Sequence, residues 1–136
     1  MIHLAKEICG SDCGLTMDTL HEHYSNSEKH LGSIYSEFED FTEIGLKLCV
    51  EVADEDKAAI LAKKLEAYDC STFSGENWYK FTKKTSTKEN AIQKFSEASG
   101  ILINEMAGFG DDHVDLGMIE LCGLGVAMGN SIETIK

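Results

Sequence analysis

The chain has 136 residues, 43% hydrophobic and 26% charged, which is the balance of a soluble globular protein with length for one domain or parts of two. Its net charge of −12 argues against nucleic acid as a partner, because phosphate-backbone binding depends on Lys and Arg. All 12 basic residues are lysines, so a bound anion must be held by ammonium groups, backbone N–H groups or a metal, never by a guanidinium fork.

No apolar run approaches the roughly 20 residues that span a bilayer. The start, MIHLAKEICGSD, lacks the basic and apolar regions of a signal peptide. Cys9, Cys13, Cys49, Cys70 and Cys122 make an odd set without a paired framework, which fits reduced thiols and a cytoplasmic location.

In chain order, Leu4 with Ile8, and Ile34 with Phe38 and Phe41, recur at helical spacing, while SNSEKHLGS between them reads as a loop. GLKLCVEVA (45–53) alternates Leu46, Leu48, Val50 and Val52 with Lys47, Cys49 and Glu51, the pattern of a half-buried strand. Residues 54–68 open with acids and place Leu61, Leu65 and Tyr68 on one helical face. CSTFSGENWYKFTKK (70–84) predicts a hairpin turning at SGEN. Ser86 and Glu89 form a capping-box pattern, and Ala91, Ile92, Phe95 and Ala98 make the apolar stripe of a helix up to Gly100.

A strand over 105–110, a helix over 112–122, a strand over 123–128 and a helix starting at 131–136 complete the pattern. Alternating strands and helices predict a parallel, Rossmann-like sheet. The piece before it reads as α+β, with the boundary near residue 84.

The chemistry concentrates in GFGDDHVDLGMIELCGLGVAMGN (108–130). Ligands of open α/β sheets bind outside the carboxyl ends of the strands, and Asp111 stands at such an end with Asp115 one helical turn on. Two like charges so close oppose ionisation unless a cation joins them, and Mg²⁺ is commonly held by one or two carboxylates plus waters and phosphate oxygens. Acids at a helix start also complement the helix dipole with no ligand at all. Lys88 falls in the first turn of its own helix, where a cation opposes the dipole unless an anion sits nearby.

These residues carry a resemblance. Lys88 followed by the Gly-Asp-x-x-x-Asp stretch and the run GLGVAMGN is similar to the Cof-like, sugar-phosphate-phosphatase branch of the haloacid dehalogenase superfamily. Residues 85–136 resemble the C-terminal half of that branch's core closely, 45–84 the later part of its cap, and 1–44 only loosely. The resemblance implies a Mg²⁺-dependent phosphatase of small phosphorylated metabolites, working through an aspartyl-phosphate. It implies that Lys88 is catalytic, stabilising the nucleophile and the phosphoryl oxygens. Asp111 would bind Mg²⁺ directly, Asp115 directly or through water, and Asn130 would support the loop beside the phosphate. Val114 stands where the family usually has Asn, and Glu89 where it usually has Gly; the capping box accounts for the latter.

The family's nucleophile lies in an Asp-x-Asp-Gly-Thr motif, and none occurs in these residues. Asp54, Glu55 and Asp56 follow a strand but lead into Lys57 and helix-forming alanines, without the glycine loop that brings backbone N–H groups to a phosphate. Asp12, in Asp-Cys-Gly-Leu-Thr, is the weaker candidate, because no hydrophobic strand precedes it. Zinc at Cys9, Cys13, His21 and His23 has no common finger spacing, so solvated histidines and buried thiols are the expectation. His113 reads as bystander polarity. Phe73, Trp78, Tyr79 and Phe81 read as cap packing or a substrate face. Gly123-x-Gly125 is too short for a dinucleotide fingerprint.

The expected fold class is therefore α/β, a partial Rossmann-like parallel core (85–136) with part of an α+β cap (1–84). The expected function is that of a fragment of a Cof-like, Mg²⁺-dependent hydrolase, inactive alone because it lacks a nucleophile, with Mg²⁺ bound weakly or not at all. The other reading is a non-catalytic module that self-associates, or pairs with a complementing chain that completes the core. No nucleic acid and no membrane are expected as partners.

Overall fold

The computed structural model describes residues 1–28, 30–73 and 75–136. The expected loop at 25–33 and turn at 74–77 each include one residue, Lys29 and Ser74, outside the described set. The chain divides into two compact units, Met1–Lys84 and Thr85–Lys136.

The first unit is built on a six-stranded sheet in the order β3-β2-β1-β4-β6-β5. Its strands are β1 (Leu15–Asp18), β2 (His23–Ser25), β3 (Ile34–Tyr35), β4 (Lys47–Glu51), β5 (Tyr68–Thr72) and β6 (Trp78–Lys83). All neighbours are antiparallel except β2 and β3. Two helices, α1 (Ile2–Cys9) and α2 (Glu55–Lys64), contribute Ile2, Ala5, Ala58 and Leu61 to a core shared with Leu15, Met17, Leu48, Val50 and Phe81. Period-two alternation puts those five strand residues on one face of the sheet.

The expected helix around Leu4 and Ile8 forms, but the one around Ile34, Phe38 and Phe41 does not. Ile34 lies in β3, and Phe38 has a φ of 60°, a left-handed conformation that no α-helix continues through. Phe38 is instead a buried plug, 5.4 Å from the Phe41 ring, which in turn meets Tyr24 edge-on at 5.1 Å. The short strands β1 and β2 were illegible because LTMD and HYS are too brief to show a period. In β4 the alternation holds for Leu48 and Val50, but Cys49 is buried on the opposite face and Leu46 is exposed. Helix α2 stops at Lys64, so Leu61 and Leu65 are buried from its face and its end, while Tyr68 opens β5. The hairpin of β5 and β6 forms as the sequence predicts.

The second unit begins with α3 (Lys88–Ser99), ended by Gly100 in a left-handed cap. Its N-cap is Thr87, whose hydroxyl accepts from the Asn90 amide at 3.2 Å; the Ser86 and Glu89 capping box is displaced by this one-residue shift. Strands β7 (Ala107–Gly110) and β8 (Leu124–Ala127) pair in parallel, Gly108 opposite Gly125 and Phe109 opposite Val126. Between them run a 3₁₀ turn (His113–Asp115) and α4 (Leu116–Leu121), which together replace the single helix expected over 112–122. Residues 131–136 form turns rather than a helix, tied back by the Ile132 amide to the Asp111 carbonyl at 3.0 Å. Among the described residues no helix is long and apolar enough to cross a membrane.

Candidate active site

At the carboxyl end of β7 the chain turns through Asp111 and Asp112 into the 3₁₀ turn, and Asp115 closes that turn on itself. The Asp111 and Asp112 amides donate to one Asp115 oxygen at 3.1 and 3.4 Å. The other oxygen accepts from the Lys88 ammonium, which arrives from the first turn of α3. Asp112 caps the turn by accepting from the His113 amide at 2.7 Å.

The Asp115 side chain is only 6% exposed, whereas that of Lys88 is 51% exposed. Burial pushes the Asp115 carboxyl up, but the Lys88 ammonium and the two amides outweigh it and hold the group below the usual carboxylate range. Asp115 is thus a fixed anion whose two oxygens are both committed.

Close approach is possible because position 110 is glycine: a Cβ there would stand 2.3 Å from the Asp115 Cβ. Asn130, after β8, donates to an Asp111 oxygen at 3.2 Å. Met128 binds back to the Gly110 carbonyl at 2.9 Å, so the two strand ends are latched. Lys88, Asp111, Asp115 and Asn130 therefore converge on one strand-end turn.

Glu89 was read from the sequence as half of a capping box. Its carboxylate instead lies against Gly117 at the start of α4, where an added Cβ would meet Oε1 at 2.0 Å. Two contacts have no signal in the sequence: the amides of Asp111 and Asp112, and Thr134, whose hydroxyl is 3.5 Å from His113 Nδ1. Val114 is 38% exposed and contributes no polar atom to the turn. In the first unit, Asp54 accepts from the Asp56 and Lys57 amides at 3.0 and 3.2 Å, the geometry of a helix cap. No group of three or more His, Cys, Asp or Glu side chains converges to hold a metal among the described residues.

Comparison with known proteins bears on this turn. The chain is 41% identical over 63 residues to a protein of Haemophilus influenzae, covering 46% of this chain and 24% of that one. It is 43% identical over 49 residues to the 5-amino-6-(5-phospho-D-ribitylamino)uracil phosphatase YitU of Bacillus subtilis, covering 36% and 18%. Its fold matches a solved haloacid dehalogenase-like hydrolase from B. subtilis with a TM-score of 0.76 at 18% identity, over 99% of this chain and 61% of that one. The chain thus spans less than a quarter of these curated relatives and under two thirds of the solved structure. The model of the haloacid dehalogenase-like hydrolase family matches residues 6–136, nearly the whole length, and the chain belongs to that family.

Proposed function

We propose that the chain carries the lysine and metal-holding half of a Cof-like, Mg²⁺-dependent phosphatase active site, acting in the cytoplasm on small phosphorylated metabolites. The observation that carries this reading is the Asp115 bridge, which holds the Lys88 ammonium and the Asp111 backbone amide at the same strand end, where Asn130 binds the Asp111 carboxylate. The phosphatase relative, whose named substrate is a small phosphate ester, supports the substrate class.

The donor set fits a hard cation. Both Asp115 oxygens are occupied, so Asp111 would be the direct Mg²⁺ ligand, oriented by Asn130, with Asp115 fixing the turn rather than meeting the ion. The ion would supply charge neutralisation at the phosphoryl group. Lys88, already paired, would be placed to hold a phosphoryl oxygen from its exposed side. No residue in the chain occupies the family's nucleophile motif, and the carboxylate that attacks phosphorus would come from outside these residues.

Two outcomes follow for the 136-residue chain. With Mg²⁺ and p-nitrophenyl phosphate it releases product no faster than its Asp111→Asn variant; turnover lost in that variant would overturn the missing nucleophile. Millimolar Mg²⁺ raises its melting temperature slightly, by the amount that weak binding to the folded state allows. Asp111→Asn abolishes the rise, and Asp112→Asn, which keeps the capping oxygen, leaves it. Equal loss in both variants would reduce the site to an acidic helix start.

A second reading has its own observation. Phe109 and Leu124, on the face of the β7–β8 pair turned away from α4, are each 60% exposed. We propose that this face is covered by a partner, a second copy or a complementing chain. Light scattering is expected to show association at micromolar concentration, and a compact monomer would refute it.

A further inference from the structure

We infer that the Met1–Lys84 unit binds a medium-chain aliphatic carboxylate in a cavity on the helix-covered face of its sheet. This goes beyond the phosphatase reading and does not rest on it. The cavity measures about 390 Å³ and lies at the end of the sheet where β4 begins and β6 finishes. Its floor is Met17 on β1 and Phe81 on β6, core residues that share one face because each pairs with Leu48 of β4. Ile2 of α1, with Phe38 and Phe41 from the segment before β4, adds apolar walls.

Two observations define the apolar part of the ligand. Ile44 and Leu46 line the cavity yet are 83% and 51% exposed, so its rim turns aliphatic surface to water. An apolar occupant gains by covering that surface. Met1 and Met17 supply unbranched, adaptable walls, which suit a flexible alkyl chain better than a rigid ring. The volume is near the low end for a ligand pocket, which favours a chain of medium length over a long one.

A cross-strand pair defines the head group. Tyr68 opens β5 directly opposite Lys83 at the end of β6, and both line the cavity. Lys83 lies two residues beyond Phe81, so it leaves β6 on the same face. Neither the Lys83 ammonium nor the Tyr68 hydroxyl has a hydrogen-bond or ion-pair partner among the described residues. Two uncommitted donors on neighbouring strands, with Cβ atoms about 5 Å apart, complement the two oxygens of one carboxylate. Exposed His3 adds a ring nitrogen to the lining. The carboxylate in the lining, Glu43, accepts from Tyr24 on β2, three strands away from β6, and so does not contest the Lys83 end. From β6 to Met17 on β1 is two strand spacings, about 10 Å, the reach of an extended chain of about eight carbons.

The methionines locate the ligand. Of the five, Met1 and Met17 line the cavity, while Met106, Met118 and Met128 belong to the other unit and serve as controls. The full chain, isotope-labelled at its methionine methyls and followed by NMR, is titrated with octanoate, hexanoate, octanol and octylammonium. Octanoate at up to millimolar concentration is expected to shift the Met1 and Met17 resonances saturably and to leave the other three in place. Hexanoate, two methylenes shorter, should bind roughly tenfold more weakly. Octanoate should bind at least about twofold more tightly than octanol, the increment of an exposed ion pair. Lys83→Met, at an exposed position, and Tyr68→Phe, which deletes only a hydroxyl, should each reduce that preference and keep the dependence on chain length; circular dichroism checks their folding. No shift, equal shifts of all five methyls, no gain from hexanoate to octanoate, equal binding of octylammonium, or an unchanged octanoate preference in both folded variants would overturn the site.

Discussion

Asp115→Ala is expected to destabilise the Thr85–Lys136 unit by about 2–4 kcal/mol and to loosen the Asp111–Asp112 turn first. The carboxylate satisfies two backbone amides and one ammonium at once. Removing it strands two donors inside a turn, at roughly 1–3 kcal/mol for an unsatisfied buried group. Breaking a fully buried pair costs about 3–5 kcal/mol, but half-exposed Lys88 can turn to water, which keeps the loss below the top of that range. Hydrogen exchange is the direct readout. The amides of Asp111 and Asp112 should be protected in the native chain and exchange far faster in the variant, and unchanged protection would mean that the turn holds itself. Lys88→Met should cost less, because Asp115 keeps its two amide donors.

The same network fixes the acid limb. The folded-state pKa of Asp115 lies below its unfolded value of about 3.9. Its contribution is therefore fully present above the unfolded value and is lost as the pH falls through the folded one. Acid titration of the wild type should show protection of the two amides falling below about pH 4. The Asp115→Ala variant should lack that step.

The functional turn was more legible than the sheet that makes up most of the first unit, and the reason is physical. The turn residues are chemically rare: carboxylates four apart after a glycine, and a lysine where a helix dipole disfavours it. Such features survive in any local window. The six-stranded sheet is made of short strands whose partners lie far apart in sequence, β1 against β4 and β4 against β6. LTMD and HYS hold too few residues to show alternation, and Phe38 reads as helical spacing until its positive φ is known. Boundaries failed where one local hydrogen bond beat a pattern. Thr87 outcompetes Ser86 as cap, and the 3₁₀ turn at 113–115 exists because Asp112 and Asp115 bind the backbone on either side of it. No residue pattern announced that Asp115 would spend both oxygens on positioning, since backbone amides leave no mark in a sequence.

The glycines of GLGVAMGN separate by the space around them, and this gives the second large effect. A Cβ on Gly125 would stand 2.3 Å from the carbonyl oxygen of Ile119 and 2.7 Å from its Cγ2. The carbonyl belongs to the backbone of α4 and cannot rotate aside, so β8 or the helix must move. Overpacking costs about 1–3 kcal/mol when side chains can adjust, and a backbone obstacle places Gly125→Ala at or above the upper end. Gly129, four residues on, has nothing within 4 Å of the same added atom and no positive φ. Gly129→Ala should be neutral, or more stable by about 0.4–1 kcal/mol through a less flexible unfolded chain. The displacement also has a chemical consequence, because β8 leads directly into Met128, whose amide latches Gly110, and into Asn130, which orients Asp111. Gly125→Ala should therefore lower the melting temperature and remove the Mg²⁺-induced rise together, whereas Gly129→Ala keeps both. Equal stability of the two variants would mean that α4 and β8 do not pack through the glycine, and that the approach of helix to strand, rather than the identity of the acids alone, plays no part in holding Asp111 in place.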